Sequence, residues 1–368
     1  MAAIRPSGIY DVSYEQDMAL VRTPALKVAA VVGVVIFFAL PLFSRGSPLG
    51  LEIVPLPWLG TLNRIGITLI SVQGLNILLG YTGQISLGQA AFMAVGAYTS
   101  TLLTAHLGIP FWFALPLAAL TAGLVGLIFG LPSLRIKGFY LAMATLAAQF
   151  IIPWVLKNPL AEWTGGASGM EVPLPTLGSW VFSTDQSMFY VIMIPAAVTM
   201  LAAKNITRTR VGRALIAVRD NDLAAEVLGI NLFTYKLRAF FLCALYAGIA
   251  GSLSAHYARS ISPDGFDLLD SIWQLGMLIV GGAGYAVGPI FGTALVRLLR
   301  EFATFITPAM RELLPGTLPF VDVASVDRAL GPLFFAVVLM LFLVFEPRGL
   351  AYRWEILKAA WRLRPFAH

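Results

Sequence analysis

The stretch Asn76–Leu102 reads "NILLGYTGQISLGQAAFMAVGAYTSTL" and carries no charged side chain. Gln84, Ser86 and Gln89 nevertheless fall within one short interval of it, among glycines. The stretch sits inside a larger uncharged block, Ile65–Leu134, of 70 residues. A membrane-crossing helix needs roughly 20 apolar residues, so the block holds about three spans. The whole chain follows the same pattern: 368 residues, 58% hydrophobic and 12% charged, with a mean hydropathy of +0.81. Soluble domains carry about 25% charged residues, so lipid is the solvent for this chain. Backbone groups in lipid must be satisfied within their own segment, and the apolar/polar alternation of a lipid-facing barrel is absent. The expected fold is an all-α polytopic membrane protein.

Hydropathy places about ten transmembrane helices, near 26–43, 62–80, 85–106, 110–131, 138–157, 187–203, 233–256, 268–283, 287–307 and 328–345. Basic residues gather on the cytoplasmic side. They cluster at Lys204, Arg208, Arg210, Arg213 and Arg219, and again in the tail at Arg348, Arg353, Lys358, Arg362 and Arg364. Both clusters are expected to be cytoplasmic, so an even number of crossings joins them. The apolar run Ser271–Val296 then divides at "GGAGYAVG" (Gly281–Gly288) into two helices around a tight turn. Six crossings precede Lys204, which puts the N-terminus on the cytoplasmic side as well. The expected organisation is a cytoplasmic segment 1–25, a membrane domain 26–345 with a cytoplasmic loop 204–231, and a basic cytoplasmic tail 346–368. The loops 158–186 and 257–270 carry six acidic residues against Arg259 and fall outside, in agreement with this orientation. Whether 287–307 crosses completely stays open, because Arg297, Arg300 and Glu301 interrupt it.

Several functional classes are excluded or disfavoured. The net charge of +6 is explained by the cytoplasmic bias of basic loops, so no nucleic-acid partner is expected. Cys243 is the only cysteine, and His106, His256 and His368 lack metal-ligand spacing, so no metal site is expected. Helix interiors hold almost no ionisable groups, which disfavours a proton- or sodium-driven secondary transporter. No lysine follows a glycine, so the phosphate-binding Gly-Lys pair is missing and ATP would be bound by partner subunits. "GASG" (Gly166–Gly169) matches a serine-protease pattern, with His256 as its conceivable base, but prolines follow it at once. No catalytic residue is expected.

Two stretches carry function. Gln84, Ser86 and Gln89 are uncharged hydrogen-bonders suited to line a passage for a polar solute, although small and polar residues also serve helix packing. In "TRVGRALIAVRDNDLAAEVLGINLFTYKLRAF" (Thr209–Phe240), Asp220 or Asn221 can cap a helix of about two turns and Gly229 can close it. Ala224 and Ala225 would give that helix a small surface for close docking, and Arg219 is expected to face water or a rim.

"GYTGQISLGQAAFMAVGAY" (Gly80–Tyr98) resembles the signature of branched-chain amino acid ABC transporter permeases, and "GRALIAVRDNDLAAEVLGI" (Gly212–Ile230) resembles their ATPase-coupling loop. Ala224, Ala225 and Gly229 keep the loop's Ala-Ala-three residues-Gly spacing, while Leu223 stands where Glu is common. "RIKGFYLAMATLA" (Arg135–Ala147), "TGGASGM" (Thr164–Met170), "GGAGYAVGPIFG" (Gly281–Gly292) and "FEPRGL" (Phe345–Leu350) are similar to the LivM-type subunit. The resemblance implies an inner-membrane importer with a LivH-like second permease, two ATPase subunits and an extracytoplasmic solute-binding protein. It implies coupling roles for Arg213, Asn221, Ala224, Ala225 and Gly229. "TGGASGM" departs from the commoner "TGGSDGL", so urea, short amides or aromatic acids stand as alternative solutes.

Overall fold

The computed structural model describes residues 24–44, 56–131, 139–313 and, with gaps, 333–363. The expected segment 1–25 lies almost wholly outside these residues. So do the turn with Arg135 and Lys137, and much of the tenth expected span, 328–345.

The described chain is a bundle of helices. In order they are α1 (Pro24–Ala39), α2 (Leu56–Leu75), α3 (Gln89–Ala105), α4 (Phe111–Gly130), α5 (Phe139–Lys157) and α6 (Ala161–Thr164). These are followed by α7 (Asp185–Arg208), α8 (Arg210–Asp220), α9 (Asp222–Val227), α10 (Leu232–Ala258), α11 (Leu268–Gly281), α12 (Gly288–Leu313) and α13 (Leu350–Leu363). A π turn, Asn76–Gly80, extends α2. Helix starts follow side-chain chemistry. Thr184 and Ser187 form a capping box on α7, Asn231 caps α10, and Asp267 caps α11. Each cap accepts from an otherwise orphaned backbone N–H.

Among the described residues, four helices are long and apolar enough to cross a membrane: Pro57–Gly80, Phe111–Gly130, Asp185–Arg208 and Leu232–Ala258. The bent pair Leu141–Lys157 and Ala161–Ser168 would make a fifth span. On α4, Phe113, Leu117, Leu120, Leu124 and Ile128 form an exposed stripe at three-to-four-residue spacing, the face a helix offers to lipid. Helices stand at the positions of the first nine expected spans, with ends that differ by up to six residues, and four or five of them have the length and apolarity of a crossing. Helix α12 runs 26 residues, long enough to cross, with Arg297, Arg300 and Glu301 along it.

Helix α10 is the central element, packed on α3 and α4. Gly96 of α3 faces Gly248 of α10 so closely that a Cβ on Gly96 would lie 2.4 Å from the Gly248 Cα. Small residues permit this backbone approach, and in lipid such packing replaces the hydrophobic driving force between helices.

At one end of α10 the loops 158–186 and 257–270 are joined by a strand pair. Strand β1 (Met170–Glu171) pairs antiparallel with β4 (Ser260–Ile261), while β2 (Thr176–Leu177) and β3 (Trp180–Val181) form a small hairpin. At the other end of α10 lie α8 and α9. The 27 residues of α10 separate the two ends by roughly 40 Å at 1.5 Å per residue. The segment 204–231, expected as a loop, is helical along most of its length. Helix α7 continues to Arg208 and α8 follows after Thr209 alone, because Thr209 caps α8 by accepting from the Gly212 N–H.

Candidate translocation and coupling sites

The interval Gly83–Gly88 is irregular backbone between the end of the helix that α2 begins and the start of α3. Its far end lies back within the bundle. Gln89, the first residue of α3, donates from Nε2 to the Ser71 carbonyl and to the Ser71 Oγ, both at 3.0 Å. Ser71 stands nine residues before the end of the helix Pro57–Gly80, roughly 14 Å back into the bundle. The chain therefore turns back along α2 before α3 begins, and α3 starts at depth.

Non-helical backbone inside a membrane bundle needs internal partners, and two helices, α5 and α11, supply them to this interval and to the first turn of α3. The Leu87 N–H donates to Thr145 Oγ1 of α5 at 2.9 Å. The Ala90 N–H donates to Ser271 Oγ of α11 at 2.9 Å, and the Ala91 N–H to Gln149 Oε1 of α5 at 3.1 Å. Ser271 Oγ in turn donates to Gln149 Oε1 at 3.0 Å, and Gln149 Nε2 to the Phe266 carbonyl at 2.8 Å. Ser271 lies in the first turn of α11, so the N-terminal turns of α3 and α11 meet through shared side-chain caps. Ser71 Oγ donates to Gln274 Oε1 at 2.5 Å, and Cys243 Sγ to Gln89 Oε1 at 3.2 Å.

The three expected pathway residues have different surroundings. Ser86 and Gln89 are fully buried within this chain, and Ser86 Oγ accepts from the Gly88 N–H at 3.3 Å. Gln84 is buried, with its Oε1 unpaired among the described residues, and Gln73 on α2 is buried with both amide atoms unpaired. The amides Gln149 and Gln274 escaped the sequence reading. Each is the one amide inside an apolar helix, and that was the available signal.

The segment 209–231, expected to couple to the ATPases, lies at the opposite end of α10 from the strands. Asn221 caps α9, its Oδ1 accepting from the Ala224 N–H at 3.0 Å. Gly229 ends the turn at φ +84° with open space where a Cβ would stand, so backbone conformation alone demands glycine there. Arg213 donates from NH1 to the Arg208 carbonyl at 3.2 Å, tying α8 to the end of α7. Ala224 is exposed, as a docking surface requires. Ala225 is 2% exposed and covered by this chain itself. Its smallness serves the fold of α9 rather than an outside contact. The outward face is larger and more apolar than expected, with Leu223, Val227 and Leu228 at 65%, 88% and 79% exposure.

Arg219, expected to face water or a rim, is part-exposed and joins this segment to the helix break. Its NH1 donates to the Gly80 carbonyl at 2.8 Å, while Nε and NH2 hold Asp220 Oδ1 at 3.0 and 2.9 Å. Gly80 lies against the turn between α11 and α12. A Cβ on Gly80 would come within 2.5 Å of the Gly284 nitrogen. Asn76 fixes that contact, Oδ1 accepting from the Gly284 N–H at 2.8 Å and Nδ2 donating to the Tyr285 carbonyl at 3.0 Å. The end of α8, the π turn and the 282–287 turn thus meet at one junction.

The protease pairing is excluded by geometry. His256 has both ring nitrogens occupied, one by Ser100 Oγ at 2.9 Å and the other by the Pro173 carbonyl at 2.8 Å, and Ser168 is not among its partners.

The family described as "Branched-chain amino acid transport system / permease component" matches residues 58–343. The high-affinity branched-chain amino acid permease protein LivM of Escherichia coli K12 is 33% identical over 269 residues, 66% of this chain and 63% of the relative. LivM of Salmonella typhimurium is 34% identical over 252 residues, 62% of this chain and 59% of the relative. The ribose import permease RbsC of E. coli K12 is 27% identical over 147 residues, 39% of this chain and 41% of the relative. The chain thus spans less than two thirds of the length of the LivM relatives it matches. No solved structure matches it. The matched span takes in the break between α2 and α3, the α8–α9 segment and the 282–287 turn, and with it this multi-pass membrane chain belongs to the branched-chain amino acid transport system permease family.

Proposed function

We propose that the chain is the pore-forming subunit of an ATP-driven importer of branched-chain amino acids in the bacterial inner membrane. It works with a LivH-like second permease, two ATPase subunits and an extracytoplasmic binding protein. It binds no nucleotide and catalyses no reaction of its own. The observation that carries the reading is the connection from the exposed apolar face of α9, through Arg219, to the break between α2 and α3. A subunit that lacks a nucleotide site must receive its power stroke through a contact, and coupling needs an element whose position both sides bias. The junction of α8, the π turn and the 282–287 turn has that form.

The proposed orientation has about ten crossings, with both termini and 204–231 cytoplasmic and the strand-bearing loops outside. In intact cells, cysteines at Ser168→Cys and Asp264→Cys react with an impermeant maleimide, and one at Asn221→Cys does not. Outside labelling at Asn221→Cys reverses the orientation.

Within this reading Gln84, Ser86 and Gln89 border the passage, and the unpaired Gln84 carbonyl is the group free to meet a polar solute. Uptake of labelled L-leucine into proteoliposomes holding the complete complex is expected to require ATP and binding protein, and to exceed uptake of urea or ribose. Gln84→Leu distinguishes passage from packing. Replacing an unpaired buried amide by a similar apolar shape is neutral or stabilising for a packing residue. For a passage residue the same change lowers uptake, by roughly tenfold for one lost hydrogen bond of about 1.4 kcal/mol, at unchanged thermal stability. Full uptake by Gln84→Leu returns this residue to packing.

A further inference from the structure

We propose that the cavity between the β1–β4 pair and the adjoining end of α10 binds a small zwitterion with an aliphatic body, an α-amino acid, as a station separate from the helix break. The proposal rests on the importer reading above and adds to it where the solute is first held and by what. The cavity measures about 460 Å³, within the roughly 300–1,000 Å³ of small-molecule sites. Its polar lining is Ser168, Ser254, Ser260, Ser262 and Glu171. Its apolar lining includes Ala255, Ala258, Ile261 and Phe266.

Ser168, Ser260 and Glu171 are exposed, and Ser254 and Ser262 are half-buried. Among the described residues, none of the four serine hydroxyls and neither Glu171 oxygen has a hydrogen-bond partner. The serines fully buried in the bundle are paired. Ser71, Ser100, Ser252 and Ser271 all bond other side chains. The walls that carry the free groups are nevertheless fixed. Met170 and Glu171 are held in register with Ile261 and Ser260. Gly169 stands at φ +72°, where a Cβ would lie 2.2 Å from the Ile261 carbonyl oxygen. A rigid frame thus presents unpaired donors and one carboxylate to an open space.

The chemistry selects the ligand. Glu171 is the single charged lining group, so it attracts a cationic end. One carboxylate does not hold a divalent metal, and no cluster of three metal-ligating side chains exists among the described residues. An ammonium group is the fitting cation. Four hydroxyls can donate to a carboxylate, and the alanines, Ile261 and Phe266 accept a short hydrocarbon. The floor of the cavity also leads inward. Phe266 lines it, and the Phe266 carbonyl accepts from Gln149, whose Oε1 caps α3 at the Ala91 N–H. One side chain therefore links an occupied cavity to the start of the broken helix.

The test is equilibrium binding of tritiated L-leucine to the full-length chain in phosphatidylcholine nanodiscs. Saturable binding is expected, competed by leucinamide, which keeps the ammonium, and not by 4-methylpentanoate, which lacks it. Glu171→Gln is expected to weaken binding roughly tenfold or more, as for loss of one charge-assisted bond. Ala258→Trp, at an exposed lining position, fills the space and abolishes binding without changing thermal stability. Absence of saturable binding to the unaltered chain overturns the proposal, as does unchanged affinity in both variants. If Glu171→Gln binds leucine normally but loses stimulation by the binding protein, the cavity is a protein-docking pocket and the solute assignment fails. ATP-dependent leucine uptake by the unaltered complex is scored separately. Uptake without cavity binding refutes this station alone, whereas absent uptake refutes the importer reading.

Discussion

The double substitution Val227→Asp, Leu228→Asp is expected to lower ATP-driven uptake by more than about 100-fold and to strip the ATPase subunits from the purified complex. Both side chains project from α9 with most of their surface free, 88% and 79% exposed, beside Leu223 at 65%. An apolar cluster on a polar segment at the end of a membrane bundle marks a protein contact. Truncating a central interface anchor costs about 2–4 kcal/mol, and each 1.4 kcal/mol is tenfold in affinity. Two adjacent carboxylates must in addition be desolvated on docking. Because neither side chain is covered by its own chain, the variant is expected to fold and melt as the unaltered protein does. Co-purification of the ATPases at full stoichiometry, with normal uptake, would refute α9 as the docking element. Ala225→Glu cannot make this distinction. Ala225 is buried against its own chain, so a carboxylate there damages α9 itself and mimics a docking defect.

Arg219→Ala is expected to leave the complex assembled and hydrolysing ATP while uptake falls by about 10- to 100-fold. The guanidinium bridges α8 to the last carbonyl of the π turn at Gly80, and its other nitrogens are braced by Asp220. A hydrogen bond to a charged group is worth about 1.5–3 kcal/mol. The lower part of that range applies here, since the side chain is 38% exposed. Losing the bridge frees the π turn from α8 without touching the outward face of α9. The diagnostic quantity is therefore solute moved per ATP hydrolysed, which a merely structural loss would not change selectively. Arg219→Lys tests the geometry, because a lysine cannot hold Gly80 and Asp220 with one planar fork and is expected to restore uptake only in part. A normal transport-to-hydrolysis ratio in Arg219→Ala would remove this residue from the coupling route.

Much of the helix bundle was legible because lipid enforces simple rules. Each span needs a minimum apolar length and its own backbone hydrogen bonds, and both leave a mark in consecutive residues. Hence 233–256 and 187–203 were found to within a few positions of α10 and α7, and the glycines at Gly281–Gly288 marked the turn between α11 and α12. Local backbone chemistry was equally readable. Asn221 caps α9 and Gly229 takes the left-handed conformation, since capping and φ depend on neighbours in sequence.

Side-chain roles set by distant partners were not legible in this way. Arg219 looks like one more basic loop residue until its NH1 meets Gly80, 139 positions away. Ala225 carries the same residue type as Ala224, yet packing buries one and exposes the other. The prolines after "GASG" already argued against a protease serine at Ser168, and the structure adds that His256 is bonded to Ser100 and Pro173.

The sequence by itself determined the apolar character, the helical class and the positions of most helices, because hydropathy and capping are summed over adjacent residues. Only the tertiary structure decided that α3 begins at depth beside Ser71, that its N–H groups are capped by Gln149 and Ser271 from other helices, and that α8 grips the π turn. Those facts depend on which polar group lies within about 3 Å of another, and the folded bundle sets that distance between residues far apart in the chain.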